Sequence, residues 1–327
     1  MNILFIFWKY LKQKKNSKIK GEKMIYTLTF NPALDYVIKT KNFKTGKINK
    51  SKEEHIFPGG KGINVSIVLE ALGQKTTAIG FISGFVGKEI EKQVQKYGVK
   101  TDFIEIKNEN SRINVKILDE KEETAINANG PYIDSKYFEL LYKKLEILKN
   151  NDTLVLSGSV PNGVENNIYE KICKMLENKN IKIVVDTTGE LLLKTLKYKP
   201  YLIKPNQQEL EEIFNIKISN QDEALEYAER LQTKGAQNVI VSMGSLGAVL
   251  LDENGYSYKI NAIGVEDVVN TVGAGDSMVA GFLAGHEIYN NYDKALQMGV
   301  AAATATTNTL FLATKEKIKE KLLQFKI

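Results

Sequence analysis

An α/β fold is what this sequence predicts: a mostly parallel central sheet with helices on both faces, a three-layer α/β/α arrangement, and a small β-sheet lid beside it. Two observations carry that expectation. Short β-branched runs alternate with helical patterns through most of the 327 residues, and two segments break that rhythm with a period-two pattern. Parallel strands covered on both faces read as near-continuous apolar runs, whereas a half-exposed sheet alternates apolar with polar positions.

In chain order, the first strand is expected at 24–30, and residues 35–57 then read as half-exposed strands. A buried strand at 76–82 leads into a helix at 86–97. Residues 113–127 return to the half-exposed pattern, with Ile113, Val115 and Ile117 alternating before a polar turn at 119–122, so this segment and 35–57 are expected to form an antiparallel lid sheet. Buried strands follow at 153–157, 182–186, 201–204 and 238–242, separated by helices at 167–177, 208–214 and 222–234. No repeat, proline-rich linker or low-complexity tract interrupts 24–327, which favours one domain with an appended lid over two independent ones.

Composition narrows the class. With 43% hydrophobic and 26% charged residues, and no apolar run near the ~20 residues a membrane span needs, disorder and a membrane span are excluded. Cys173 is the single cysteine, so no internal disulfide or cysteine-rich metal site forms, and a cytoplasmic location is expected. Two histidines, His55 and His286, argue against a multi-histidine metal site. The net charge of +6 sits in residues 1–23, where seven lysines face only Glu22; the remainder balances 38 basic against 38 acidic residues. A nucleic-acid partner is therefore not expected. The apolar run at 3–8 precedes its lysines, the reverse of a secretory signal, so Met24 is expected as the working start and 1–23 as a disordered or non-native extension.

Two glycine turns carry chemistry. Pro58, Gly59, Gly60, Lys61, Gly62, Ile63 and Asn64 feed an amphipathic stretch ending at Gly73. Free amides and the helix dipole at such a start favour an oxygen-rich or anionic group, and Lys61 adds a mobile positive charge. Thr271, Val272, Gly273, Ala274, Gly275 and Asp276 lead into a second helix with an apolar stripe at Met278, Val279, Phe282 and Leu283. Successive small residues there make a nest of amides for an oxyanion. Asp276 at its mouth is either an ordinary helix-start acid or a general base. Each turn alone also suits a plain tight turn. The Walker sequence is absent, since Gly60-Lys61 is followed by Gly62; the H-R-D and D-F-G elements of protein kinases are missing; and the first strand runs into Asn31-Pro32 instead of a dinucleotide-binding turn.

Taken together, Asn31-Pro32-Ala33-Leu34-Asp35, the glycine-lysine turn and 272–276 resemble, in order and spacing, the ribokinase-like sugar kinases of the PfkB type. The resemblance covers 24 to about 326 and is closest in wording to members acting on fructose 1-phosphate. It implies that Asp276 deprotonates the acceptor hydroxyl while Gly273, Ala274 and Gly275 form an anion hole. It further implies Mg²⁺ organised through water by Asn206 and Glu209 of Asn206-Gln207-Gln208-Glu209, after Lys204-Pro205. ATP is expected over Ser242, Gly244, Ser245 and Gly247, with Lys204 and Asn206 beside it and an adenine contact at Asn308. For the sugar, Asp35, Gly59, Gly60 and Asn64 are implied, with Ser157 and Ser159 as further donors. The substrate's own phosphate is assigned to Lys61, Arg112 and Lys47. Arg112 leads, because its planar fork suits phosphate and it is one of only two arginines. The expected reaction is ATP-dependent conversion of fructose 1-phosphate to fructose 1,6-bisphosphate, with tagatose 6-phosphate and fructose 6-phosphate as runner-up substrates. A non-catalytic sugar-phosphate or nucleotide-binding regulator is the second class. Exposed lid strands, together with the likeness, imply a homodimer.

Overall fold

The computed structural model describes residues 23–119, 122–161, 163–264 and 268–325, so the expected N-terminal extension lies outside the described residues except for Lys23. Among the described residues, thirteen strands form two sheets. Nine of them make the central sheet: β13 (Ser257–Ile260), β12 (Ala248–Leu251), β11 (Asn238–Ser242), β10 (Leu202–Ile203), β9 (Lys182–Asp186), β8 (Thr153–Ser157), β1 (Ile25–Thr29), β4 (Thr76–Ser83) and β5 (Lys100–Ile106), in that spatial order. From β11 through β5 every pairing is parallel, and β12 and β13 add an antiparallel edge.

The sheet is buried on both faces because its strands are apolar at successive positions. On β8, Val155 enters one core with Val184 and Ile240, while its neighbours Leu154 and Leu156 enter the other with Val185 and Val241. The first core is covered by α1 (Lys61–Ala71), α2 (Gly84–Lys96), α8 (Ala274–Tyr289), α9 (Tyr292–Thr307) and α10 (Lys315–Leu322). The second lies under α3 (Lys136–Glu146), α4 (Ile168–Leu176), α5 (Gly189–Leu193), α6 (Gln207–Phe214) and α7 (Gln221–Thr233). The expected three layers are present, with the strand at 100–106, the 248–260 hairpin and the helices at 136–146, 292–307 and 315–322 added to the predicted elements.

The small sheet runs β3 (Glu53–Gly59), β2 (Ala33–Lys39), β6 (Arg112–Leu118), β7 (Glu123–Ile126). Here one expectation needs correction. The hairpins β2/β3 and β6/β7 are antiparallel, but the central pair β2/β6 is parallel. Between β3 and β6 the chain passes through α1, β4, α2 and β5 of the main body, so it re-enters the small sheet heading the same way as β2. A hairpin loop cannot make that connection; a long crossover can.

Candidate active site

Polar and charged side chains collect at the C-terminal ends of the parallel strands, where open α/β sheets form their crevices. Asp186 ends β9, Lys204 follows β10, and Ser242 ends β11. Two helices point their N-termini at the same place. The chain enters α1 at Gly60 with φ 124° and α8 at Gly273 with φ 82°, both in the region that favours glycine. At Gly273 space matters as well, because a Cβ there would lie 2.7 Å from Leu312 Cδ2.

Asp276, 5% exposed, sits in the first turn of α8 and accepts a 2.7 Å hydrogen bond at Oδ2 from Asn64 Nδ2 of α1. Burial, followed by the nearby Asp186 charge, pushes its carboxyl up to about 6, against the opposing pull of Lys61, Asn64 and Lys204. Asp186 is also buried. Lys204 Nζ stands 3.3 Å and Lys61 Nζ 3.6 Å from its Oδ1, as ion pairs without hydrogen-bond geometry, and both carboxylate oxygens lack a hydrogen-bond partner. Burial works to raise the Asp186 carboxyl, but the two ammonium groups outweigh it and hold it below the usual carboxylate range. Burial likewise opposes the charge on Lys61, and Asp186, Asp276 and Glu209 overcome that and raise its pKa. Lys204 Nζ lies over the glycine turn, 3.1 Å from where a Cβ on Gly275 would be. In that turn the Ala274 amide donates to Thr271 O at 3.3 Å.

Asn206 and Glu209 cap α6 reciprocally: the Asn206 side chain accepts from Glu209 N at 2.8 Å, and Glu209 Oε2 accepts from Asn206 N at 2.9 Å. The capping box holds both residues in the wall of the cleft.

From the lid, Asp35 on β2 accepts from Asn114 Nδ2 at 2.8 Å and Lys116 Nζ at 3.0 Å, both on β6. Gly59 backs this carboxylate so closely that a Cβ would fall 2.8 Å from Asp35 Oδ1. Arg112 donates from Nε to Asn31 O at 3.2 Å and from Nη1 to Ala128 O at 3.4 Å, and burial lowers its pKa against the pull of Asp35.

These groups line two adjoining clefts. A polar one of about 460 Å³ is walled by Asp35, Gly60, Lys61, Asn64, Arg112, Asn114, Lys116, Asp186, Lys204, Asn206, Glu209, Gly273 and Asp276. A mostly apolar one of about 410 Å³ is walled by Gly244, Ser245, Gly247, Ala262, Ile263, Met278, Val300 and Thr304, among others. Ser242 and Gly275 line both. The structure thus brings together most of the residues expected from the sequence. Lys47 instead lies on the exposed loop between β2 and β3, Ser157 is buried at the end of β8, Ser159 is exposed beyond it, and Asn308 caps the C-terminus of α9; none of the four lines either cleft. The cleft also holds Asp186, Asn114 and Lys116, which the motifs do not single out. A signal exists for each: a carboxylate ending an apolar parallel strand, and polar residues at period two from Arg112 along β6.

A match to the pfkB family carbohydrate kinases spans residues 28–313. The chain is 41% identical over 304 residues to a 1-phosphofructokinase of Borreliella burgdorferi, covering 93% of this chain and 98% of that one. It is 34% identical over 305 residues to a D-tagatose-1-phosphate kinase of Bacillus licheniformis, covering 93% and 99%. The crystal structure of phosphofructokinase-2 from Escherichia coli in complex with substrates and products superposes with a TM-score of 0.87 at 28% identity, covering 92% of this chain and 98% of that one.

Proposed function

The chain belongs to the pfkB family of carbohydrate kinases, and from that premise we propose that it transfers the γ-phosphoryl group of ATP to the free primary hydroxyl of fructose 1-phosphate, giving fructose 1,6-bisphosphate and ADP. The observation that carries this reading is the junction of a polar and an apolar cleft at Ser242 and Gly275, with Asp276 next in sequence. A nucleotide in the apolar cleft and a sugar phosphate in the polar one would meet head-on there, as in-line transfer requires.

Asn64 occupies Asp276 Oδ2, which leaves Oδ1 to take the proton of the C6 hydroxyl as its oxygen attacks the γ-phosphorus. Charge developing on the transferred group is met by the Gly273 and Gly275 amides, the dipole of α8 and the Lys204 ammonium. Asp35, held by Asn114 and Lys116, is suited to accept from the ring hydroxyls. Arg112 is suited to the substrate's own phosphate, whereas Lys61, paired to Asp186 and with its pKa raised also by Asp276, is suited to the phosphoryl group in transit. A hydrated Mg²⁺ suits this donor set: Asp186, although ion-paired at Oδ1 to Lys204 and Lys61, is a buried carboxylate outside hydrogen bonds, and Asn206 and Glu209 stand in the same wall. Asp186, Asn206 and Glu209 would hold the ion largely through water. Bound there, it supplies neutralising charge to the ATP phosphates.

The tagatose-1-phosphate kinase relative favours one second reading, since tagatose differs from fructose in configuration at C4 while keeping the phosphate on C1. Turnover of fructose 1-phosphate, tagatose 1-phosphate, fructose 6-phosphate and tagatose 6-phosphate separates these. We expect kcat/KM to be highest for fructose 1-phosphate, by roughly tenfold or more over the 6-phosphates. Equal values across the panel would remove the assignment.

We also propose that two copies pair through their lids. Residues facing one another across lid strands share a face, and the face away from Asp35 carries Tyr36, Ile38, Ile56, Ile113, Val115, Ile117 and Ile126. Ile126 is 61% exposed and Ile56 47%. This face is mostly apolar, broken by Glu54 opposite Ile38 and by Thr124 opposite Ile117, and with open edges at β3 and β7 it suits a second copy of itself.

A further inference from the structure

Phe57 of β3 and Phe311, in the loop after α9, stack with ring centroids 4.4 Å apart and planes within 3° of parallel. Tyr97, at the end of α2, closes on Phe311 at 5.7 Å. Phe57 lies directly across from Asp35 and on the same lid face, so the stack bears on the strand pair that presents the sugar-binding carboxylate. At its other end, Phe311 belongs to a loop whose residues on either side reach the glycine turn and the start of α8. Leu310 O accepts from Asn270 Nδ2 at 3.3 Å, and Leu312 packs on Gly273. Ala313 N donates to Thr306 Oγ1 at 3.0 Å, and that hydroxyl is hydrogen-bonded at 2.7 Å to Ser277 of α8. One short loop therefore touches the lid through a side chain and the anion-binding turn through the residues on either side of it.

We propose that the Phe57–Phe311 stack is a clasp tying the sugar-presenting lid strands to the glycine turn beside Asp276, which makes Phe311 a positioning residue for phosphoryl transfer. The inference rests on the sugar-phosphate reading of the lid cleft. Phe311 lines neither cleft, so its effect passes through lid placement: without the stack the lid samples positions in which Asp35 is displaced from the cleft, and the sugar loses affinity while the nucleotide does not.

The test uses the full chain with Phe311→Leu, Phe57→Leu, the double variant and Phe311→Tyr. Each leucine variant is expected to raise KM for fructose 1-phosphate about 2- to 10-fold, the range a stacked aromatic pair supports, and to leave KM for ATP within about twofold. It is also expected to speed hydrogen exchange of the β2 and β3 amides in the absence of substrate. The double variant should be no worse than either single, and Phe311→Tyr should restore both readouts. Unchanged lid exchange in both leucine variants, or losses that add in the double, would overturn the clasp. Because exchange is read without sugar, faster lid exchange in a protein that turns over no ketose phosphate would keep the clasp and remove the substrate reading instead.

Discussion

The role proposed for Asp276 sets two opposing demands on it. A general base must be ionised at working pH, yet burial and the Asp186 charge favour its protonated form and push the carboxyl up to about 6. If Asp276 is the base, kcat/KM should fall as pH drops through about 6. The stability consequence has the opposite sense to that of a salt-bridged acid. With a folded pKa above the ordinary 3.8, the penalty for ionising Asp276 in the fold is absent at the acid end, grows between about 4 and 6, and is complete above that. Asp276→Asn, which keeps an acceptor for Asn64, should lower kcat by about 10²- to 10⁴-fold with ATP affinity nearly intact. The same variant should melt at a higher temperature than the parent above pH 6, with the gain vanishing toward pH 4. Near-normal turnover would show that another group is the base, and a melting gain confined to acid pH would contradict the sign of the shift.

Among the helices, the two whose starts face the cleft work because glycine permits backbone geometry that no other residue adopts cheaply. Gly273 combines a left-handed φ of 82° with Leu312 pressed against it. Gly273→Ala should therefore cost about 1–3 kcal/mol in urea unfolding, from strain together with displacement of Leu312. Since the turn lines the cleft and is the proposed anion hole, kcat should fall more than the affinity for sugar phosphate does. Full stability and full activity together would mean that the turn relaxes freely. The capping box of α6 is a second device of this kind: the hydrogen bonds that begin the helix also hold Asn206 and Glu209 at the cleft wall.

Across the molecule as a unit, the lid has two faces of opposite chemistry. Asp35, Arg112, Asn114 and Lys116 face the cleft, and an isoleucine-rich surface faces away. Ile126→Glu places a charge on the outward face without touching the cleft. Sedimentation should find the parent at about twice the 36.7 kDa chain mass and this variant at that mass, with the melting temperature of the main body unchanged. A parent that sediments as a monomer at working concentration would defeat the lid dimer. Among the described residues, no helix is long and apolar enough to cross a membrane.

The parallel sheet, its layers of helices and the two glycine turns are legible in the chain alone, because apolar runs, helical periodicity and glycine clusters are local properties. The α9 helix is not: its Ala- and Thr-rich residues are buried nearly all round, so no polar face marks its period. Asp186, Asn114 and Lys116 carry only weak local signals, a strand-end carboxylate and a period-two polar pattern, and what makes them site residues is not local. They come to the cleft through pairings across long stretches of chain, β2 beside β6 above all, and nothing near them in sequence announces a partner. Folding in three dimensions is what sets the parallel register of the lid, the placing of two lysines on one buried carboxylate and the stacking of Phe57 on Phe311, since each depends on where distant segments meet once both cores are packed.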